Sequence, residues 1–124
     1  MTTKCANCVS CNYLKDDKGI VLSLRDIFSK DVPIYISTIT EVELFGFPRL
    51  SSKEAKEIDL LLQTLSIIPL DSRIARIAGT IRRIYGLRTP DSIIAATALF
   101  TGTSLITKNI RDFRKISELS IKSF

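Results

Sequence analysis

The run PIYISTITEVELFGF, residues 33–47, holds two kinds of structure with no linker between them. Ile34, Tyr35 and Ile36 follow a proline and favour an extended, pleated chain, so PIYIS reads as a short strand. Thr38, with Glu41 three residues on, has the spacing of a capping box. A helix is therefore predicted to start directly at the strand's C-terminal end and to stop near Gly46 and Pro48. A strand that feeds a helix at once is the working unit of an α/β protein.

Outward from that run the pattern repeats. Upstream, Ile20, Leu24, Ile27 and Phe28 recur at helical spacing between Gly19 and Lys30. Downstream, Ser51 and Glu54 form a second capping box, and Ala55, Ile58, Leu61, Leu62 and Leu65 mark one face of a helix running to about Ser66. After the short apolar run SIIPL, Asp71 caps a helix whose apolar stripe is Ile74, Ile77, Ala78, Ile81, Ile84 and Tyr85, with Gly86 as a left-handed stop. Thr89 as N-cap and Pro90 as first helical residue open TPDSIIAATALF, which is apolar almost all the way round and runs to Gly102. SLIT is the next strand. Asn109 begins a last short helix through Asp112 to Ile116, and LSIKSF offers a closing strand. This alternation predicts a three-layer α/β/α sandwich around a central, mainly parallel sheet, in one domain of 124 residues.

Composition sets the bounds. With 45% apolar residues the chain can bury a core without disulfides. Its longest apolar runs, such as residues 93–99, are too short to span a bilayer, and no stretch reads as a secretory leader, so a cytoplasmic protein is expected. Eighteen Lys plus Arg against thirteen Asp plus Glu give a net charge of +5, which favours a polyanionic partner without demanding one. Arg73, Arg76, Arg82 and Arg83 share the polar side of one helix. That side reads either as a solvated face or as a grip for a nucleic-acid backbone.

The acids carry more information. Asp91 sits in the first turn of the most apolar helix, where the helix dipole favours a carboxylate, so helix-end stabilisation is its plainest reading. Glu43 lies among Val42, Leu44 and Phe45 on the helix after PIYIS, and Asp112 follows SLIT. Three strand-to-helix junctions are thus expected to bring an acid each to the carboxyl edge of the sheet, where ligands of such folds bind. Carboxylates crowded together repel one another unless a cation lies between them. Mg²⁺ or Mn²⁺ is the natural counter-charge, taking oxygen ligands that substrate phosphates complete. The chemistry expected of such a site is metal-assisted hydrolysis of a phosphodiester.

YISTITEVELFGF, GLRTPDSIIAATAL and LITKNIRDFRKI, in that order, make the chain from about Tyr13 onward resemble the PIN domain, and within it the VapC-like ribonuclease toxins of toxin–antitoxin pairs. The resemblance implies the same α/β/α sandwich. It implies that Glu43, Asp91 and Asp112 belong to an acidic Mg²⁺ or Mn²⁺ site, with Asn109 as a neutral oxygen ligand and Thr107 lining it. The partners it implies are an RNA substrate, a cognate antitoxin protein and a second copy of the chain in a homodimer.

The N-terminus departs from that pattern. Such domains open with an apolar strand ending in Asp, and anchoring on residues 12–17 places Ala6 there, with Asn7 and Cys8 next. A leading acid is therefore missing. Asp16 and Asp17 lie about ten residues further on, roughly 15 Å along a helix, and cannot replace it. Two functions follow: a metal-dependent endoribonuclease, impaired by Ala6, or a non-catalytic domain of the same fold that keeps antitoxin or RNA binding. Cys5, Cys8 and Cys11 have cluster-like spacing, but no fourth cysteine and no histidine completes a site, so free thiols are expected. A shifted reading frame is a further origin for so foreign an opening.

Overall fold

A computed structural model describes residues 7–9, 34–107 and 109–122. The expected helix of residues 19–30, together with Ala6, Cys5 and Cys11, lies outside the described residues. In chain order the elements are β1 (Asn7–Val9), β2 (Ile34–Ser37), α1 (Thr38–Phe45), α2 (Ser52–Leu62), β3 (Ser66–Ile68), α3 (Ser72–Tyr85), α4 (Thr89–Thr101), β4 (Ser104–Ile106), α5 (Ile110–Phe113) and β5 (Ile121–Lys122). The strands form one sheet in the order β3-β2-β1-β4-β5, and every pairing is parallel. The expected α/β/α sandwich is the fold.

Sheet periodicity divides the core. Leu105 and Ile106 are consecutive in β4 and point to opposite faces. Leu105 joins Ile74, Ala78, Ile81, Ile94 and Phe113 on one side, whereas Ile106 joins Ile34, Ile36, Leu44 and Leu62 on the other. Helix α4 lies between α3 and the sheet, which is why Asp91 to Ala98 are buried without a break. Its lack of a polar stripe follows from that position. Ile84, assigned above to the apolar stripe of α3, is instead 62% exposed, because it stands off the face carrying Ile74, Ala78 and Ile81.

Local signals hold where they are short-range. Ser51 and Glu54 make both halves of their capping box, and the Asp71 carboxylate accepts from the Ile74 amide at 3.0 Å. Several boundaries shift. The N-cap of α1 is Ser37, whose hydroxyl accepts from the Ile39 amide at 3.2 Å, and Thr38 is the first helical residue. The Thr38 hydroxyl accepts from the Leu70 amide at 3.1 Å instead, tying α1 to the chain beyond β3. Helix α2 ends at Leu62 rather than near Ser66, since Ser66 is needed for pairing with Tyr35. Arg88, not Thr89, is the N-cap residue of α4, and α5 stops at Phe113.

Gly86 ends α3 with φ at 72° and ψ at 21°, a left-handed conformation that costs an L side chain roughly 1–2 kcal/mol. An added Cβ would meet nothing within 4 Å, so the strain is in the backbone alone. Gly86→Ala is expected to lower unfolding stability by about that amount in urea titration. An unchanged midpoint would show that α3 can end another way.

Candidate active site at the carboxyl edge of the sheet

The strand order fixes where a ligand site belongs. The chain moves from β1 to β2 and β3 on one side, then returns to β4 on the other side of β1. That reversal opens a crevice beyond the C-terminal ends of β1 and β4. Helix α1 begins where β2 ends and carries Glu43; Thr107 follows β4 at once, and α5 then carries Asp112. Asp91 arrives by another route than expected. Its helix follows α3, not a strand, but α4 runs into the start of β4 and is about 20 Å long, so its N-terminus returns to the carboxyl edge.

Asp91 is 7% exposed and lies in the first turn of α4. Burial is the main influence on its carboxyl group and raises the pKa above the ordinary 3.8. Arg88 opposes that rise, with its Nε 3.7 Å from Asp91 Oδ2. Glu43 and Asp112 add to it by charge repulsion, so the electrostatic fields of the three expected acids overlap at Asp91. Burying a charge beside two like charges is unfavourable for folding alone.

Beyond the end of β4 a small polar chain orders the third acid. Thr107 is buried, and its Oγ1 accepts from the Asn109 amide at 3.0 Å. Asn109 Nδ2 donates to Asp112 Oδ2 at 3.0 Å. The amide nitrogen of Asn109 thus holds a carboxylate, a use an aspartate at that position would not allow, while the oxygen expected to face a cation is the other atom of the same amide. Among the described residues no three His, Cys, Asp or Glu side chains lie close enough together to enclose a metal ion. Glu43, Asp91 and Asp112 thus share an edge without closing a shell, with Asp91 drawn toward Arg88 and Asp112 toward Asn109.

Sequence reasoning missed Arg88. The signal was present in GLRTPD as an i, i+3 pair with Asp91. The placing of β1 bears on where a leading acid would stand. β1 runs Asn7–Val9, with Val9 opposite Ile106, so its C-terminal end lies after Val9 and the next residue in sequence is Ser10. Ala6 instead precedes β1. Neither residue is an acid.

An all-parallel α/β/α sandwich that gathers carboxylates at the switch point of its sheet is the class that fold and site define. A family model described as the PIN domain matches residues 11–119, and the chain belongs to the PIN domain family. It is 27% identical over 116 residues to ribonuclease VapC19 of Mycobacterium tuberculosis, covering 90% of this chain and 91% of that protein. Among solved structures it is similar to a chain of a toxin–antitoxin complex from Klebsiella pneumoniae, at 28% identity and a TM-score of 0.71, covering 91% and 94% of the two chains. It also shares its fold with a chain of VapBC2 from Rickettsia felis bound to a DNA fragment from its promoter, at 23% identity and a TM-score of 0.76, covering 96% and 98%. Among the described residues no helix is long and apolar enough to cross a membrane.

Proposed function

We propose that the chain is a metal-dependent endoribonuclease of the VapC-like toxin type. The observation that carries this reading is Asp91: a buried carboxylate in the field of Glu43 and Asp112, in a chain 27% identical to a named ribonuclease. The donor chemistry suits a hard divalent cation in an open site, completed by water and by substrate oxygens. Asp91, Glu43 and Asp112 would have to draw together to hold it, with Asn109 fixing the direction of Asp112. Bound there, Mg²⁺ or Mn²⁺ would supply charge for phosphodiester hydrolysis. Asp91 fixes the centre of the site from a rigid helix end, and the apolar body of α4 keeps water from reaching its carboxylate from behind.

The names of the relatives support a cognate antitoxin as the protein partner. Val42, Leu60 and Ile84, which are 66%, 58% and 62% exposed, are apolar surface that antitoxin binding or a homodimer would cover. A second reading is favoured by one observation: neither Ala6 nor Ser10 supplies the leading acid. On that reading the domain binds antitoxin or RNA without cutting it.

RNA cleavage with Mg²⁺ or Mn²⁺, against EDTA, separates the two. We expect slow metal-dependent cutting by the natural chain. We expect faster cutting by Ser10→Asp and none of that gain in Ala6→Asp, because the end of β1 lies past Val9. Silence from the natural chain with activity in Ser10→Asp would mark a disarmed site. Silence from all three would leave binding as the function.

A further inference from the structure

We propose that Arg88 is the phosphate-holding residue of this site, gripping an RNA backbone phosphate next to the acids. The proposal rests on the ribonuclease reading and adds what draws the anion in. Three carboxylates at one edge repel a polyanion, so without a metal ion the approach of RNA to Asp91 needs a cation fixed to the protein.

Arg88 has the required geometry. Its side chain is 74% exposed, and its nearest approach to Asp91 is Nε at 3.7 Å from Oδ2, well beyond the reach of a charge-assisted hydrogen bond. Among the described residues Arg88 has no ion pair with any acid but Asp91, and a guanidinium so exposed has in-plane N–H donors to offer a phosphate. The carboxylate end of the pair is only 10% exposed, so Arg88 offsets part of the cost of burying that charge while its own side chain stays open to solvent.

Its stem, by contrast, is held firmly. Leu87 is 4% exposed and anchors the connection between α3 and α4 in the core. Arg82 Nη1 donates to the Leu87 carbonyl at 3.0 Å, and the Ser92 amide donates to the Arg88 carbonyl at 2.9 Å. An exposed guanidinium on a fixed backbone can exchange Asp91 for a phosphate at little entropic cost. Arg82 and Arg83, in the last turn of α3, extend the positive charge toward the same edge. Arg73 is committed at the other end of α3, paired with Asp71 at 2.9 Å and lying over the Phe100 ring at 4.8 Å.

The test is binding of a fluorescein-labelled single-stranded RNA to the full chain, followed by anisotropy over a salt series with EDTA, so that no cleavage occurs. Arg88→Gln is expected to weaken binding about tenfold and to lower the salt slope by about one, as loss of one phosphate contact should. Arg88→Lys should fall between. Lys56→Gln makes the same charge change on the exposed side of α2 and should leave the affinity close to that of the natural chain. Equal losses in Lys56→Gln and Arg88→Gln would overturn the proposal in favour of general charge, and so would unchanged binding in Arg88→Gln or no binding by the natural chain. RNA binding that depends on Arg88 in a chain that never cuts would uphold it while removing the nuclease reading.

Discussion

Asp91→Asn is expected to remove metal-dependent RNA cleavage and, in the same protein, to raise thermal stability at neutral pH. The loss of activity should be roughly a hundred- to a thousandfold, because a carboxylate that holds a catalytic cation is worth several kcal/mol at about 1.4 kcal/mol per decade. It is to be measured in whichever background cuts RNA, the natural chain or Ser10→Asp. The gain in stability follows from the sign of the Asp91 shift. Burial and two like charges raise its pKa in the folded protein above 3.8, so the ionised form is disfavoured by folding. Below 3.8 the group is protonated in both states and the cost is absent; as pH rises through the folded value the cost appears in full. An asparagine never ionises. The melting curves of the two proteins should therefore coincide in acid and separate as pH rises, with the variant higher. Added Mg²⁺ or Mn²⁺ should narrow that gap by stabilising only the natural chain. A variant less stable at neutral pH would mean that Arg88 and the helix dipole outweigh burial, and that Asp91 serves the fold.

That opposition explains why Asp91 was legible in the sequence. A charge in a helix that is otherwise apolar breaks a local rule, and such breaks gather at functional sites. Ser51, Asp71 and Gly86 were legible because caps and stops are written within a few residues. Ser37 and Thr38 show the limit of that reasoning. Both are hydroxyl residues at a strand-to-helix junction, and only the backbone angles decide which one caps. What depends on distant pairing was not readable at all. The order β3-β2-β1-β4-β5 creates the crevice, yet no residue records that β4 lies beside β1. The end of β1 was misplaced for the same reason: NCV has little strand propensity by itself, and its pairing with Ile34 and with Ser104 to Ile106 defines it. The residue type of Asn109 permits an oxygen ligand and is legible; the contact of its nitrogen with Asp112 needs coordinates.

The largest loss of stability is expected from Phe113→Ala. Phe113 is fully buried and packs with Leu105, Ile116 and Leu119, all on one face of the sheet. Removing a ring from such a position costs about 3–5 kcal/mol, set against the roughly 5–15 kcal/mol by which a whole domain is stable. Helix α5 has only four residues and cannot persist by its own hydrogen bonds, so the buried ring is what fixes it to the sheet. Asp112 precedes that ring by one residue and lies part-buried on the same turn. The variant should thus lose activity beyond its unfolded fraction, because Asp112 loses its footing even in molecules that remain folded. Phe113→Leu keeps most of the volume and should cost less than about 1.5 kcal/mol, with activity largely retained. Urea titration gives the first quantity, and cleavage at a temperature where both variants are folded gives the second. A cost below about 1.5 kcal/mol for the alanine would show that Ile116 and Leu119 close over the gap. Full activity in the folded alanine variant would show that Asn109, through its bond to Asp112, positions the acid without help from the core.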